Sequence, residues 1–167
     1  FTSFLAMKNK HIVFISDQAA LDVRLVGSKA ANLAKLLQAG FPVPTGFVVI
    51  VTAFEHFLTA NNFDFENATQ EGITTARFPE DIEEALWYEF SALGNIPVAV
   101  RSSGIAEDLP GASFAGQYET ILDVQNADDL LTAVKRCWSS AFSERVIAYK
   151  KEHGQTGVPG MAVLVQQ

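Results

Sequence analysis

The segment AVRSSGIAEDLPGASFAGQYET, residues 99–120, is the stretch that decides the fold. It starts as the end of an apolar strand, passes through Arg101 and two serines, and continues into the small-residue run GASFAG. Small residues allow consecutive backbone N–H groups to come close to an anionic ligand, although many such runs are plain hairpins. Because apolar alternation resumes at ETILDV, we predict two strands joined by a loop that could hold an anion.

The composition is that of a folded globular protein. The chain has 167 residues, of which 49% are hydrophobic and 19% charged, enough for one domain or for part of a larger one. The formal net charge of −7 argues against nucleic acid as a partner, since backbone binding needs surplus Lys and Arg. The longest apolar run, FVVIVTAF at 47–54, is too short to cross a bilayer. We therefore predict a cytoplasmic protein with no membrane partner.

Outward from this segment, the hydrophobic pattern alternates between strand and helix. Strands are predicted at residues 11–16, 47–51, 97–101, 119–124 and 161–166. Helices are predicted from Ser28 to Gly40, from a Thr52–Glu55 capping box to Asn61, from Pro79, from about Ala127 to Phe142, and from Ser143 to Gly154. Residues 63–78 are polar and are predicted to be a loop or an irregular lid. This alternation predicts an α/β or α+β fold with a mixed sheet.

Lys29 breaks a local rule of helix formation. It falls in the first turn of its predicted helix, where the helix dipole makes a cation unfavourable by about 0.3–1 kcal/mol. An anion held between Lys29, the amides of Gly27 and Ser28, and the helix N-terminus would compensate, as it does where phosphates bind. The alternative is a solvated lysine on a helix that starts a residue or two away from the predicted position.

Arg101 poses a similar choice. At the end of an apolar strand its guanidinium is expected to be partly buried, and a buried guanidinium needs an acceptor. Glu107 or Asp108 could supply a carboxylate, or a ligand phosphate could be gripped by two parallel hydrogen bonds. The residues alone leave the structural ion pair and the phosphate contact both open.

The histidines and the cysteine are assigned to structure or solvent. His11 opens a strand, His56 lies within a helix, and His153 ends another, and none is predicted to have an orienting partner. Cys137 lies in a helical pattern and is expected to be a core thiol. Local spacing assembles neither a catalytic triad nor a metal cluster, so no catalytic residue and no metal ligand is predicted in this chain.

Three segments resemble, in order and in spacing, the N-terminal ATP-binding region of the pyruvate phosphate dikinase, phosphoenolpyruvate synthase and rifampin phosphotransferase family. They are VGSKAANLAKLLQAGFPVPTGFVV, AVRSSGIAEDLPGASFAGQYETILDV and MAVLVQQ. The resemblance implies an ATP-grasp-like nucleotide-binding domain, with residues 11–167 as its first part and residues 1–10 as a leader. It also implies ATP and Mg²⁺ as cofactors, with acidic Mg²⁺ ligands outside this segment.

The resemblance further implies which residues bind ATP. Lys29 and Arg101 match the lysine and the arginine that reach the phosphates, and Gly116 belongs to the glycine loop that covers them. Thr120 and Ile121 match the ATP-contacting end of that loop. The reasoning from individual residues selects Lys29, Arg101 and the loop independently of the resemblance.

A sixth position, Gln167, matches a residue at the hinge beside the adenine, and only the resemblance selects it. Some positions depart from the family pattern: Gly27–Ser28 replaces a glycine pair, RSSGI replaces RSSAT, and GQYET replaces GQQET. These departures are compatible with a phosphate site lined by backbone, and they leave the subfamily open.

The function that the resemblance implies is a dikinase-type phosphotransferase. Such an enzyme transfers the β-phosphoryl group of ATP to a histidine on a later domain, releases AMP and phosphate, and passes the phosphoryl group to a small acceptor. Pyruvate is the favoured acceptor, with a rifamycin or a non-catalytic nucleotide-binding or assembly role as alternatives. The expected partners are ATP and the later phosphohistidine and acceptor domains, without which this segment is expected to be inactive.

Overall fold

The structure, a computed structural model, describes residues 10–105 and 119–167. Its strands are β1 (Ile12–Phe14), β2 (Gly46–Val49), β3 (Val98–Gly104), β4 (Thr120–Val124) and β5 (Met161–Gln166). Its α-helices are α1 (Val23–Gln38), α2 (Val51–Ala60), α3 (Gln70–Thr75), α4 (Glu80–Ala92), α5 (Ala127–Ser139) and α6 (Glu144–Glu152), with short 3₁₀ turns at Gln18–Leu21 and Ser140–Phe142. In the described ranges no helix has the length and apolar character that a membrane crossing requires.

The strands form one sheet in the order β1-β2-β5-β3-β4. The combination of this sheet with helices confirms the predicted α/β or α+β class. All four pairings within the described residues are antiparallel, whereas the helix–strand alternation predicted a mixed sheet. The position of β5 explains why the sheet is antiparallel and not mixed. Strands β2 and β3 run in the same direction, as a crossover connection predicts, but β5 lies between them and pairs antiparallel with both.

Helices cover both faces of this sheet. Ser103 Oγ accepts a hydrogen bond from the Ala30 amide in α1 at 3.1 Å, while Ser102 Oγ lies 3.5 Å from Ser140 Oγ at the end of α5. Because neighbouring side chains on a strand point to opposite faces, α1 and the end of α5 lie on opposite sides of β3. Coverage of both faces explains why all six residues of β5 are buried.

An aromatic cluster around Trp138 joins α5 to the helices beside it. The Trp138 ring is fully buried and lies 4.9 Å from Phe57, 5.2 Å from Phe54 and 5.6 Å from Phe78, measured between ring centroids. Phe54 and Phe57 belong to α2, and Phe78 lies two residues before the start of α4. Contacts between large aromatic rings dominate core energetics, so this cluster fixes α2 and α5 against each other.

Helix α1 begins earlier than predicted and is broken. It starts at Val23 with Asp22 as N-cap, and Gly27 adopts φ 76° and ψ 168°, far from helical values. The helix predicted from Ser28 is therefore the second part of α1, and Lys29 does lie in its first turn. The predicted end is confirmed, since Gly40 follows the last turn with φ 86°.

Two predictions between residues 50 and 78 are wrong. Helix α2 starts one residue earlier than the predicted cap, with Ile50 in the N-cap position and no side-chain cap, so the Thr52–Glu55 capping box does not form. The region predicted as a loop contains the short helix α3, which is capped by the Thr69 side chain. A six-residue helix lacks the apolar periodicity that reveals longer helices in a sequence.

The caps predicted for the last two helices are confirmed. Asn126 accepts a hydrogen bond from the Asp129 amide at the start of α5, and Ser143 accepts one from the Val146 amide at the start of α6. Gly154 follows α6 with a positive φ of 62°. Short polar side chains at an N-cap and glycine after a C-terminus satisfy backbone groups locally, which makes these boundaries readable from sequence.

Candidate functional site

The candidate site lies where the second part of α1 meets β3. A Cβ atom added at Gly27 would lie 2.0 Å from the Ser103 carbonyl oxygen, so only glycine permits this approach. Ser103 Oγ accepts the Ala30 amide, and the Ser28 hydroxyl donates to the Ile105 carbonyl at 3.4 Å. The helix N-terminus that the sequence predicted as an anion site is thereby fixed to the strand, and one of its amides is already paired.

Lys29 extends from this helix N-terminus onto the strand. Its side chain is half-buried, and Nζ donates a hydrogen bond to the Ser102 carbonyl oxygen at 2.9 Å. The side chain is thus bound to the strand, in contrast to the solvated lysine that was the alternative. The bond places the ammonium group beside the residue that follows Arg101, which brings two cationic side chains to one segment of β3.

Arg101 is half-buried in the middle of β3. Its register partners are Thr120 on β4 and Leu164 on β5. None of the ion pairs formed within residues 10–105 and 119–167 includes Arg101. Glu107 and Asp108, the two predicted structural partners, lie outside the described residues, so the choice between an ion pair and a ligand contact stays a prediction.

The other ATP-binding residues implied by the resemblance lie at different distances from Lys29 and Arg101. Thr120 pairs directly with Arg101, and Ile121 pairs with Val100, so both lie on the neighbouring strand. The Glu119 carbonyl, just before Thr120, accepts hydrogen bonds from the Ser102 amide and hydroxyl. These bonds hold the start of β4 firmly against the segment of β3 that carries the two cations.

Gln167 lies farther away, just beyond the end of β5. Its amide donates to the Thr45 carbonyl at 3.1 Å, and its neighbour Gln166 pairs with Ala99 on β3. At about 3.3 Å per residue, Gln167 is about 10 Å along the sheet from the position opposite Arg101. Gly116 and the rest of the predicted glycine loop lie outside the described residues, so their placement stays a prediction.

Two serines after Arg101 were not assigned a role from the sequence. Ser102 supplies the carbonyl that binds Lys29, and Ser103 caps the second part of α1. Strand β3 continues through both of them to Gly104, although the strand was predicted to end at Arg101. Their complete burial is the reason, since buried hydroxyls satisfied by tertiary hydrogen bonds leave no trace in a hydrophobicity pattern.

The described part of this site offers little to Mg²⁺, which prefers several oxygen ligands. The acidic side chain that immediately precedes β4, that of Glu119, is paired with Arg136 at 3.1 Å. Within the described ranges, the one group of three or more potential metal-binding side chains is elsewhere, at His11, His56 and Asp81. The resemblance places the acidic Mg²⁺ ligands outside this segment, and that remains a prediction.

Two of the three histidines share a carboxylate partner, contrary to the prediction that none has an orienting partner. His11 Nε2 lies 2.7 Å from Asp81 Oδ2, and His56 Nε2 lies 3.2 Å from Asp81 Oδ1. Burial alone would raise the pKa of Asp81, but hydrogen bonds and positive charge from both histidines lower that pKa below its ordinary value. The three residues come from separate elements, which is why spacing along the sequence could not bring them together.

The assignments of Cys137 to the core and of His153 to structure or solvent are confirmed. The Cys137 thiol is completely buried in α5, and burial raises its pKa to about 12, which keeps it protonated and unreactive. His153 is exposed, and its Nδ1 lies 2.8 Å from the Tyr149 carbonyl oxygen one turn earlier. Cys137 Sγ lies 3.9 Å from the carbonyl oxygens of Val100 and Glu119 and so packs beneath the strands as a structural thiol.

A lysine at a helix N-terminus and an arginine on the adjacent strand, within a sheet covered by helices, are typical of α/β domains that bind nucleotide phosphates. Comparison with known proteins agrees with this class. The family described as the pyruvate phosphate dikinase AMP/ATP-binding domain matches residues 23–167, and the chain belongs to that family. The resemblance found in the sequence is thereby confirmed.

The chain is also similar to several curated proteins. It is 41% identical over 153 residues to the uncharacterized phosphotransferase YvkC of Bacillus subtilis, covering 89% of this chain and 18% of that protein. It is 37% identical to a probable phosphoenolpyruvate synthase of Methanothermobacter thermautotrophicus, covering 86% and 25%, respectively. It is 35% identical to the phosphoenolpyruvate synthase of Aquifex aeolicus, covering 96% and 22%. The chain therefore spans a quarter or less of these three relatives.

Proposed function

We propose that this chain is the ATP-binding part of a dikinase-type phosphotransferase acting on pyruvate. The observation that carries the proposal is the position of half-buried Arg101, which has no ion-pair partner among the described residues and is adjacent to the carbonyl that binds Lys29. A guanidinium desolvated in this way needs an acceptor, and a phosphate group of ATP fits that need. Family membership and the names of the similar synthases support the reaction type.

The role of each residue follows from its position. Arg101 would grip phosphate oxygens with two parallel hydrogen bonds, and Lys29 would add a second positive charge from the helix end. Thr120, directly opposite Arg101 on β4, would present its hydroxyl and backbone at the edge of the phosphate site. Phosphoryl transfer is catalysed mainly by positioning and by neutralising charge, which these side chains can supply. Mg²⁺, when bound, would add further neutralisation through ligands outside this segment.

The remaining assignments extend this proposal to the whole domain. Residues 11–167 would form the first part of an ATP-grasp-like domain, with residues 1–10 as a leader. Gly116 would belong to the loop over the phosphates, and Gln167, at the end of β5, would lie beside the adenine. Later domains of the same cytoplasmic enzyme would carry the phosphohistidine and bind the acceptor, so that this segment alone has no activity.

The test is a product assay on the enzyme that contains this chain. With ATP, pyruvate and water, a dikinase forms phosphoenolpyruvate, AMP and phosphate in equal amounts. Formation of ADP in place of AMP would contradict the dikinase reaction. AMP formation that depends on a rifamycin, and that pyruvate does not support, would contradict pyruvate as the acceptor.

Substitution of Lys29 tests whether the activity measured in that assay depends on the candidate site. Lys29→Met should lower the rate of AMP formation by roughly 10²-fold, the usual effect of removing one charge-stabilising donor. Lys35→Met is the matched control, because Lys35 is exposed on the same helix and should leave the rate unchanged. Equal rates for the two variants would remove Lys29 from the proposed site.

A further inference from the structure

Three side chains from three separate elements converge beside β1, the edge strand of the sheet farthest from β4. His11 immediately precedes β1, His56 lies in α2, and Asp81 lies in the first turn of α4. The ligand atoms that they offer, one from each residue, all lie within 4.8 Å of one another. The two imidazole rings are parallel to within 2°, with centroids 5.5 Å apart, and both direct Nε2 at the same carboxylate.

We propose that His11, His56 and Asp81 form a binding site for a divalent transition-metal ion, with Zn²⁺ as the best-fitting metal. Two imidazole nitrogens and one carboxylate oxygen make a ligand set typical of three-ligand zinc sites, which leave a fourth position for water. Mg²⁺ and Ca²⁺ prefer sites made of oxygen ligands alone, so they fit this set poorly.

The spacing of the ligand atoms fits such an ion. Tetrahedral ligands about 2.0–2.1 Å from zinc lie roughly 3.3 Å apart. His11 Nε2 lies 2.7 Å from Asp81 Oδ2, His56 Nε2 lies 3.2 Å from Asp81 Oδ1, and the three ligand atoms all lie within 4.8 Å of one another. Side-chain rotations that bring both imidazole nitrogens to one shared centre with an Asp81 oxygen would admit the ion. In the metal-free state the imidazole Nε2 atoms donate N–H groups to Asp81, and coordination requires those protons to move to Nδ1 or to leave.

The site is open on one side. The His11 side chain is only 5% exposed, whereas those of Asp81 and His56 are 30% and 40% exposed. The ion can therefore enter from solvent past His56 and keep a water molecule at its fourth position. The buried ring of His11 would anchor the ion to the edge of the sheet.

The expected consequence is a cross-link between three elements. An ion bound here would join the edge strand β1 to α2 and α4. Because the unfolded chain does not hold the three ligands together, the ion would bind only the folded chain and would stabilise it. The site is independent of the proposed nucleotide site, because β2 and β5 lie between β1 and β3, which puts the two strands about 14 Å apart.

The experiment is a metal titration without nucleotide. Zn²⁺ added to the metal-free protein should raise its melting temperature, and Co²⁺ should give the visible absorption bands of a tetrahedral site. His56→Asn should weaken Co²⁺ binding at least about tenfold, since it removes a ligand, and Asp81→Asn should act in the same direction. His153→Asn is the matched control, because His153 lies outside the cluster and should leave binding unchanged.

Three results would overturn the proposal. The first is a folded wild-type protein that shows neither Co²⁺ bands nor a change of melting temperature with Zn²⁺, which would make the cluster a hydrogen-bonded structural contact only. The second is equal Co²⁺ affinity in wild type and His56→Asn. The third is a loss of binding in His153→Asn as large as that in His56→Asn. Melting of each variant without metal shows that it is folded, and if Asp81→Asn is unfolded, the comparison rests on His56→Asn.

Discussion

At the scale of single residues, Gly27 has a defined structural task. Its backbone conformation, φ 76° and ψ 168°, is one that residues with a side chain very rarely adopt, and its Cα faces the Ser103 carbonyl. This conformation breaks α1 and starts a second helix N-terminus directly against β3. The position of Lys29 on the strand depends on that break.

Gly27→Ala should therefore lower the free energy of unfolding by more than about 3 kcal/mol, since it adds backbone strain to an overlap with backbone atoms. Gly40→Ala is the matched control. Gly40 also has a positive φ, 86°, but a Cβ there would meet no atom within 4 Å, so only the conformational cost of about 1–2 kcal/mol applies. Urea unfolding of both variants measures the difference, and equal losses would contradict the proposed close contact.

At the residue level, a broken local rule is the signal by which the sequence points to candidate site residues. Lys29 was selected because a cation is unfavourable in the first turn of a helix, and Arg101 because a charge follows an apolar strand. The structure brings both to one segment of β3. His11 and Asp81 obey local rules and lie 70 positions apart in the chain, so only the fold could reveal their contact.

At the scale of elements, the contact between α1 and β3 organises the candidate site. The Ser103 hydroxyl accepts the Ala30 amide and so takes the place of a local N-cap for the second part of α1. In the sequence, Ser102 and Ser103 follow the apolar residues of β3, and polar residues in that position indicate the start of a loop. Tertiary hydrogen bonds to other elements explain why the strand continues through them.

Ser103→Ala should destabilise the protein by about 1–3 kcal/mol, because it leaves a buried amide without its acceptor. Ser91→Ala is the control, since Ser91 is exposed near the end of α4 and its replacement should change stability by less than about 0.5 kcal/mol. Chemical denaturation measures the free energy of unfolding of both variants. A Ser103→Ala variant as stable as wild type would show that its hydroxyl does not hold α1 on the strand.

Strand order was the part of the fold that the sequence could not supply. Each strand was recognisable from its apolar residues, and β5 was correctly placed at the end of the chain. Its insertion between β2 and β3 depends on pairings between segments more than 50 residues apart in the chain, such as Ser102 with Val163. Local patterns carry no information about such pairings, and the expected mixed sheet became an antiparallel one.

At the scale of the whole molecule, the central claim is that the positive charge on β3 binds the phosphates of ATP. Residues 23–167 belong to an AMP/ATP-binding family, but the relatives are four or more times longer than the part that this chain covers. The shared site therefore has to be tested in the enzyme that contains this chain. The test must also separate ligand binding from structural support.

The most direct measurement is ATP affinity by calorimetry for wild type and Arg101→Lys, together with their melting temperatures. Lysine keeps the charge but loses the planar fork, so we predict at least about tenfold weaker ATP binding with near-native melting. Arg24→Lys, at an exposed arginine in α1, should change neither quantity. Unchanged ATP affinity combined with a large fall in melting temperature for Arg101→Lys would contradict the account, because it would make Arg101 part of a structural ion pair.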